Sequence, residues 1–353
     1  MKRPLIGKPA GFSRQIARAM QQAISLTVHT ARPDQAESVQ SSLGTEVRLQ
    51  KPDQLKLRLV YGAAEHSEAT FKAAVYLEQL PTSTLGQVVL VAADLPSTQN
   101  PMQELAKVLP DGTVCIADRQ TAGRGRGGNK WESPAGCMLF SVNAKLTIEG
   151  RLMPFVQYTV CLAIVQAIQE AAVSRLQGAT LDVRIKWPND LMAEGLKLGG
   201  ILCHSAYSNR QFVSTIGIGI NLANRQPTTC VDSLIEAAHA KAGLSGNPRP
   251  VTREELLARI LGHLEKLLQT LMEQGFSSLQ PAYEAAWLHS GQKVTLEEDT
   301  VGGPAEQIQV TILGLAPNGY LLATDASGQR FELHPDGNSL DFMKGLVRRK
   351  LST

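Results

Sequence analysis

The segment LDVRIKWPNDLMAEGLKLGGILCHSAY, from Leu181 to Tyr207, alternates short apolar runs with turn residues and predicts a β-hairpin. The Glu194-Gly195 pair is expected to form its turn. Such a hairpin would bring Asp190 and Lys197 close together. The paired glycines at 199–200 would leave room for a ligand beside the strand.

Further apolar segments before and after this hairpin predict other strands of the same region: residues 86–95, 112–120, 137–146 and 212–222. The nearly all-apolar stretch from 154 to 176 predicts a long buried helix. Thr252 and Glu255 form a capping-box pattern for a second helix ending at Gly275. From about residue 289, short strands joined by turns suggest a small barrel.

Composition limits the possible classes of function. The chain has 353 residues, 43% of them hydrophobic and 19% charged, which is long enough for a full catalytic core. A net charge of +3 gives no general affinity for nucleic acid. Five cysteines without a C-x-x-C pair argue against a disulfide framework or zinc site and favour a reducing compartment. The polar interruptions in its longest apolar stretches argue against a membrane span.

The first 33 residues have six Lys and Arg and no acid, and apolar residues recur every fourth position at Phe12, Ile16, Met20 and Ile24. This pattern predicts a cleavable transit peptide over residues 1–38, directing the protein to a plastid or mitochondrion. Start-site choice would give a cytosolic form. The alternatives are an amphipathic helix packed on the next domain or a basic helix touching nucleic acid. Residues 39–90 form an extension without a recognisable motif.

The loop GRGRGG at 123–128 combines backbone freedom with positive charge. Its glycines let backbone N–H groups approach an anion closely, and Arg124 and Arg126 add donors matched to phosphate. The loop therefore predicts a mobile clamp over a phosphoryl group. It is neither a Walker loop nor a dinucleotide fingerprint. The alternative is an RG-rich RNA-binding segment, but such tails are long, and this one lies between two strands.

Two more motifs carry polar groups at fixed sites. In KWPND (186–190), the Trp-Pro pair marks a bulge or strand edge near which Asn189 and Asp190 would be held. In IGIGIN (216–221), Gly217 and Gly219 share one face, and the Asn221 amide could bind a purine edge. The alternative is that these glycines only relieve packing and that Lys197 is a solvated surface charge.

Taken together, STQ (97–99), GRGRGG, KWPND, KLGGIL (197–202) and IGIGIN resemble the motif series of biotin protein ligases, in order from about residue 91 to 230. KWESPAGC, QPTTC and the tail ELHPDGNSLDFMKGLVRRK are similar to plant-type holocarboxylase synthetases. The sequence departs from the family at Gln99, where Asn is usual, and at Gly127, where a third basic residue is frequent.

The resemblance implies an α+β fold with two domains. Residues 91–284 would form a biotin- and ATP-binding catalytic domain whose mixed sheet is akin to class II aminoacyl-tRNA synthetases. Residues 285–353 would form a C-terminal SH3-like β-barrel.

The resemblance also implies a two-step reaction. Biotin and ATP give biotinyl-5′-AMP and pyrophosphate, and an acceptor lysine then takes the biotinyl group and releases AMP. The implied biotin-binding residues are Ser97, Thr98, Gln99, Gln120, Arg124, Gly125, Arg126 and Lys197. The implied ATP-binding residues are Arg124, Arg126, Trp131, Lys186, Asn189 and Asn221. Lys197, Arg126 and Asp190 are the expected catalytic residues, and Asp190 would either organise Mg²⁺ or accept a proton from the amine.

The implied partners are apo-carboxylases with their biotin carboxyl-carrier domains. A homodimer is a further expectation. Nucleic acid and membranes are not expected as partners.

The sequence leaves two alternative functions open. A lipoate-type ligase would share the fold and the acyl-adenylate chemistry. A biotin-sensing DNA-binding repressor would need an N-terminal helix-turn-helix, and the residues before 90 show no convincing pattern of that kind.

Overall fold

The computed structural model describes residues 23–50, 55–61, 69–298, 306–335, 338–341 and 346–349. The strands are β1 (Ile24–Thr30), β2 (Glu46–Arg48), β3 (Lys56–Tyr61), β4 (Val88–Leu95), β5 (Val114–Gln120), β6 (Gly123–Arg124), β7 (Lys130–Trp131), β8 (Cys137–Leu146), β9 (Val183–Lys186), β10 (Asp190–Ala193), β11 (Leu196–Ser208), β12 (Gln211–Asn221), β13 (Lys293–Glu298), β14 (Glu306–Leu315), β15 (Leu321–Thr324), β16 (Arg330–Leu333), β17 (Asn338–Asp341) and β18 (Leu346–Arg349). The helices are α1 (Pro33–Leu43), α2 (Ala73–Gln79), α3 (Gln99–Glu104), α4 (Met153–Val173), α5 (Val231–Lys241), α6 (Arg253–Gln274) and α7 (Gln280–Ala286).

Ten of the described strands form one mixed sheet in the order β2-β3-β1-β4-β5-β8-β12-β11-β10-β9. The pairs β1·β3 and β4·β5 are parallel, and the other pairs are antiparallel. The hairpin predicted from residues 181–207 is present as β10 and β11. Its turn residues Glu194 and Gly195 have φ angles of 51° and 75°. The predicted mixed sheet is confirmed.

Helices cover both faces of the sheet. On one face α4 packs against α6, and Phe155 of α4 stacks on Phe276 with ring centroids 4.4 Å apart. On the other face, Met102 and Leu105 pack with strand residues such as Leu26 and Leu90 in a second core. Among the described residues, the stretch Gly150–Val173 is long and apolar enough to cross a membrane, but most of it is buried within the protein. It is the core helix that the sequence predicts.

The N-terminal region joins the ten-stranded sheet. Ile24 begins β1, which lies between β3 and β4, so it does not continue the helical pattern expected from the residues before it. Those residues, 1–22, lie outside the described part of the chain. The expected boundary after residue 38 falls inside α1, and that after residue 90 falls inside β4. Strands β1 to β3 therefore extend the same sheet that carries the motifs.

Half of the predicted capping box forms at the start of α6. The Thr252 hydroxyl accepts a hydrogen bond from the backbone N–H of Glu255 at 3.2 Å, and the helix ends at Gly275 with φ 75°. The Glu255 carboxylate does not return to the cap. It pairs instead with the buried guanidinium of Arg175, at 2.8 Å between Oε2 and Nη2. A partner from the turn after α4 therefore outcompetes the local cap.

The C-terminal region forms a second sheet in the order β16-β15-β14-β13-β18-β17, with β13·β18 parallel and the other pairs antiparallel. This arrangement agrees with the SH3-like domain expected from the sequence. Gly319, in the turn between β14 and β15, has φ 85°. Its carbonyl accepts a hydrogen bond from the Tyr158 hydroxyl of α4 at 2.6 Å, which fastens the C-terminal region to the catalytic core.

Candidate active site

A cavity of about 580 Å³ lies over the glycine-containing strands β11 and β12. It is lined by residues from almost every motif that the sequence analysis selected: Ser97, Thr98, Gln99, Gln120, Arg124, Gly125, Arg126, Trp131, Lys186, Asn189, Asp190 and Lys197. Residues spread over a hundred positions of the sequence thus share one surface.

One end of the cavity is polar, buried and uncharged. Ser97 and Thr98 are 3% and 2% exposed. The backbone N–H and the hydroxyl group of Thr98 both donate to Gln120 Oε1, at 2.8 and 3.1 Å. The Thr98 hydroxyl also lies 2.8 Å from the Ser141 hydroxyl of β8. This network fixes neutral donors and acceptors and suits recognition of an uncharged polar ring.

Gln99 continues this wall across the sheet. Its Nε2 donates to the Leu202 carbonyl of β11 at 2.5 Å. The amide lies so close to β12 that a Cβ atom added at Gly217 would approach Gln99 Nε2 to 2.3 Å. Gly217 therefore makes room for a protein side chain. At Gly217 the glycine therefore relieves packing, which is the alternative that the sequence left open for IGIGIN.

Trp131 uses the neighbouring glycine in the same way. Its indole lies on Gly219, where an added Cβ would be 2.6 Å from Trp131 Cε2. Lys197 Nζ lies 5.6 Å from the ring centroid, within the range of a cation–π contact. The indole Nε1 is buried without a hydrogen-bond partner in the described part of the chain. Trp131 thus lies between strand β12 and the cavity, and its indole N–H has no acceptor among the described residues.

The GRGRGG segment forms a small hairpin of β6 and β7, closed by a turn in which Gly127 and Gly128 have φ angles of 62° and 80°. The Arg124 guanidinium donates to Asn100 Oδ1 at the start of α3. The Arg126 guanidinium donates to Asn189 Oδ1 at 3.3 Å. The two arginines connect this lid, residues 123–131, to the start of α3 and to the turn between β9 and β10.

The predicted proximity of Asp190 and Lys197 is confirmed, because Oδ1 and Nζ are 2.7 Å apart. The Lys197 side chain is 42% exposed and that of Asp190 is 23% exposed. An ion pair this accessible contributes little to stability. Gly200 lies beneath both groups, where an added Cβ would be 3.3 Å from Asp190 Oδ1. The pair therefore places an ammonium group at the cavity surface.

The Trp-Pro pair lies in a turn: residues 187–189 connect β9 to β10. Asn189 is fixed to the adjacent strand, since its Nδ2 donates to the Ile201 carbonyl at 2.6 Å and its carbonyl accepts from the Ile201 N–H at 2.9 Å. The Asn189 side-chain oxygen is consequently aimed at the lid arginine.

Asn221 is placed differently from the prediction, because it does not line the cavity. Its Nδ2 donates to the Lys197 carbonyl at 3.2 Å and to the Thr228 hydroxyl at 2.9 Å. Its Oδ1 accepts from Asn224 Nδ2 at 3.0 Å. With both ends of its amide engaged, Asn221 holds the backbone of Lys197 and offers no edge to a purine.

Sequence reasoning missed several contributors to the site, of which Ser141 and Pro335 are two. Ser141 lies on β8, and only its contact with the Thr98 hydroxyl reveals its role. Pro335 reaches the cavity from the C-terminal region. It belongs to the HPDG part of the tail, whose composition carried no sign that it would meet the catalytic motifs.

The described residues contain no group of three His, Cys, Asp or Glu side chains that could hold a metal ion. Asp190 is the carboxylate among the described residues lining the cavity. One carboxylate suits Mg²⁺ when substrate phosphates supply other ligands, because this ion commonly keeps one or two protein carboxylates.

Comparison with known proteins agrees with this geometry. Residues 91–221 match the model of the Biotin/lipoate A/B protein ligase family. Over 324 residues the chain is 38% identical to biotin–protein ligase 2 of Arabidopsis thaliana, covering 89% of this chain and 95% of that protein. The chain belongs to this family. It is also 39% identical over 325 residues to the chloroplastic biotin–protein ligase 1 of the same plant, covering 88% and 86% of the two chains.

Among solved structures, a variant of the biotin protein ligase from Aquifex aeolicus in complex with biotin superimposes with a TM-score of 0.52. The two share 24% sequence identity, and the match covers 69% of this chain and 94% of that one. The likeness confirms the family fold over the greater part of the molecule.

Proposed function

We infer that this protein is an ATP-dependent biotin–protein ligase, which joins biotin to a lysine of a biotin carrier protein. The observation that carries the inference is one cavity with a neutral, hydrogen-bonded end at Ser97, Thr98 and Gln120 and a cationic end at Arg124, Arg126 and Lys197. A biotin molecule has the matching polarity: an uncharged ureido ring, an aliphatic tail and a carboxylate. The family relationship supports the same assignment.

In the first step the biotin carboxylate attacks the α-phosphorus of ATP, the bond to the β-phosphate oxygen breaks, and pyrophosphate leaves. Lys197 is assigned to the carboxyl oxygen, where its ammonium offsets the developing negative charge. Arg124 and Arg126 on the lid are assigned to the phosphate oxygens, which their planar guanidinium groups suit. Water exclusion by the lid protects the mixed anhydride from hydrolysis.

In the second step the neutral amine of the acceptor lysine attacks the biotinyl carbonyl, and AMP leaves. Asp190 lies 2.7 Å from Lys197, at the end of the cavity where both steps would occur. Asp190 is assigned either to the proton lost by the amine or to Mg²⁺ that arrives with ATP, which would neutralise phosphate charge. Both roles would use the Asp190 carboxylate.

The remaining cavity residues are assigned by position. Ser97, Thr98, Gln99 and Gln120 would hold the ureido ring, with Gly125 providing close approach at the lid. Trp131 is assigned to adenine, because it lines the cavity and offers an aromatic ring for stacking. Lys186 and Asn189 would complete the nucleotide side. Asn221 is assigned to the support of Lys197.

The acceptors are inferred to be carrier domains of carboxylases. A homodimer is part of the proposal, supported by the outer half of β11, whose residues from His204 to Tyr207 are exposed and are paired on one side only among the described strands. Such an edge can pair with another chain. Light scattering on the purified protein would give its mass in solution.

The proposed location is an organelle, plastid or mitochondrion, with a cytosolic form by start-site choice. One of the two Arabidopsis relatives is named chloroplastic. A cleavable leader would have to end before Ile24, because β1 is hydrogen-bonded to strands on both sides. Sequencing the N-terminus of the protein recovered from isolated organelles would test this.

Replacing Gly219 by alanine is expected to raise KM for ATP by about tenfold, because the new methyl group would displace the Trp131 indole, and such overpacking costs roughly 1–3 kcal/mol. Steady-state kinetics at saturating biotin measure this. The matched control is Gly150→Ala, where the nearest atom to the new Cβ is 3.7 Å away. An unchanged KM for Gly219→Ala would argue against a nucleotide at Trp131.

Biotin and ATP together are expected to slow tryptic cleavage after Arg124 and Arg126. Ordering flexible residues costs about 1–2 kcal/mol each, so ligand contacts should be needed to keep the lid closed. Cleavage is followed by mass spectrometry with both ligands, with each alone and with neither. Equal rates in all four conditions would exclude a ligand-stabilised lid.

The function itself is tested by transfer of biotin to a purified carboxylase carrier domain with ATP and Mg²⁺. The wild type should label a single lysine, and Arg126→Ala should fail while remaining folded. A parallel reaction with lipoate separates the two branches of the family. Transfer of lipoate without transfer of biotin would overturn the proposed function.

A further inference from the structure

His289 lies in the segment that links α7 to the C-terminal strands, and it is completely buried. This link runs beside β9, the edge strand of the catalytic sheet. Ile185 and Trp287 form a parallel bridge, and the Leu288 N–H donates to the Ile185 carbonyl at 2.9 Å. The link thus begins to pair with β9 as an additional strand would.

Just past the end of β9, two residues after Ile185, the link supplies a side chain as the acceptor. The backbone N–H of Trp187 donates to Nε2 of His289 at 3.0 Å. Trp187 is 1% exposed, and the next residue, Pro188, has no N–H. A buried N–H without an acceptor loses the hydration it had in the unfolded chain, which makes this single acceptor important for the local backbone.

The imidazole has the correct form to accept this hydrogen bond. Nδ1 lies 2.8 Å from Oε1 of Gln292, so it carries the proton and donates, which leaves the Nε2 lone pair for Trp187. Burial lowers the pKa of His289 to about 4, and the positive charge of Lys186 acts in the same direction. The ring is therefore neutral at physiological pH.

The backbone fixed by His289 leads directly into the catalytic turn. The Trp187 side chain is held separately, since its Nε1 donates to the Tyr158 hydroxyl at 2.8 Å. Two residues later Asn189 accepts from Arg126 of the lid, and Asp190 follows with its contact to Lys197. A shift at Trp187 would therefore move both contacts.

We propose that His289 is a positioning residue of the adenylation site, which fixes the Trp187 backbone from the C-terminal side and thereby places Asn189 and Asp190. The proposal rests on the proposed function for its activity readout. Under this proposal, the segment that links α7 to the C-terminal strands helps to fix the geometry of residues 187–190.

Two substitutions in the full-length protein separate positioning from simple packing. The His289→Gln variant keeps an uncharged hydrogen-bond acceptor on a side chain of similar length. The His289→Leu variant fills the same space but offers no hydrogen-bond acceptor. Biotin-dependent pyrophosphate release gives kcat and KM, and hydrogen exchange followed by mass spectrometry reports on the Trp187 amide. His263→Leu is the control, because His263 contacts Glu170 on the solvent-exposed side of α4 and α6.

We expect His289→Leu to lower kcat by about tenfold or more, with KM for biotin changed less than about threefold, and to accelerate exchange at Trp187. His289→Gln should restore kcat to within about threefold of the wild type and restore slow exchange. Wild-type kcat and exchange in a folded His289→Leu would overturn the proposal, as would a folded His289→Gln that is equally impaired.

If His289→Leu does not accumulate as folded protein, Gln292→Leu replaces it, because that change removes the partner of Nδ1 and leaves the imidazole. The same loss of kcat and protection is expected, in smaller degree, and unchanged values would refute the proposal. Should the wild type release no pyrophosphate with biotin, the proposed function fails. The exchange measurement would still decide the role of His289.

Discussion

Lys197→Met is expected to lower kcat/KM for biotinyl-adenylate formation by about 10²–10³, since removing one preorganised group that stabilises developing charge has an effect of this size. The ammonium lies at the cavity surface, 2.7 Å from Asp190 and 5.6 Å from the Trp131 ring. Methionine keeps the length and apolar stem of the side chain. Pyrophosphate release at varied biotin and ATP measures the loss.

Lys266→Met is the matched control for this variant, because Lys266 lies exposed on α6, far along the chain from the motifs. It should retain full activity. The transfer step can be measured alone by supplying preformed biotinyl-5′-AMP. A Lys197→Met protein that forms the adenylate at a rate within about threefold of the wild type would remove Lys197 from the catalytic residues.

Arg175→Met is expected to lower the free energy of unfolding by about 3–5 kcal/mol, because it leaves a buried carboxylate without its principal partner. The side chains of Arg175 and Glu255 are 3% and 6% exposed and form two hydrogen bonds, at 2.8 and 3.0 Å. Arg175 also donates to backbone carbonyls on α4 and in the loop before α6. Urea unfolding followed by circular dichroism measures the change.

The charge on Glu255 explains why this loss should be large. Burial alone would raise the pKa of Glu255, but the hydrogen bond and charge of Arg175, with Arg249 and Arg259, outweigh burial and hold the pKa below its usual value. The carboxylate thus stabilises the fold at neutral pH, and that contribution is lost as pH falls through its lowered pKa.

Two further variants test whether the loss of stability comes from the buried charge or whether removing any ion pair would destabilise this protein. Arg225→Met removes an exposed partner of Glu236 and should cost less than about 1 kcal/mol. Adding Glu255→Leu to Arg175→Met should recover part of the stability, because the apolar pair removes a buried carboxylate that Arg249 and Arg259 compensate only in part. A loss below about 1 kcal/mol in Arg175→Met would contradict the role given to the pair.

The sequence was sufficient for contacts set by local geometry. Asp190 and Lys197 meet because the hairpin places them on adjacent strands a few residues from its turn, although Asp190 itself pairs with Gly200 and Lys197 with Met192 across a β-bulge. The buried helix α4 was equally predictable, since its apolar residues cover all its sides. In both cases the information lies within a short window of the chain.

Contacts that depend on which elements cross in space were not predictable. The spacing of Gly217 and Gly219 predicts that they share one face of a strand, but the side chains that pack on them, Gln99 and Trp131, come from distant segments. Asn221 was matched to a purine because its amide looked available, and only the fold shows that both ends are used. Charge and periodicity similarly predict a leader that extends to residue 38, whereas pairing with β3 and β4 makes Ile24 the start of a strand in the main sheet.

The interior position of β1 sets a limit on proteolytic maturation. Removing residues up to 23 would leave every described strand intact, whereas a cut a few residues later would strip β4 of its neighbour. The exposed flank of β4 would carry unpaired backbone groups and an apolar sequence, which is the kind of surface on which chains aggregate. Met20 lies just inside this limit and the next methionine is Met102. A shortened translation product beginning at Met20 would thus lose the basic segment and still assemble the whole sheet.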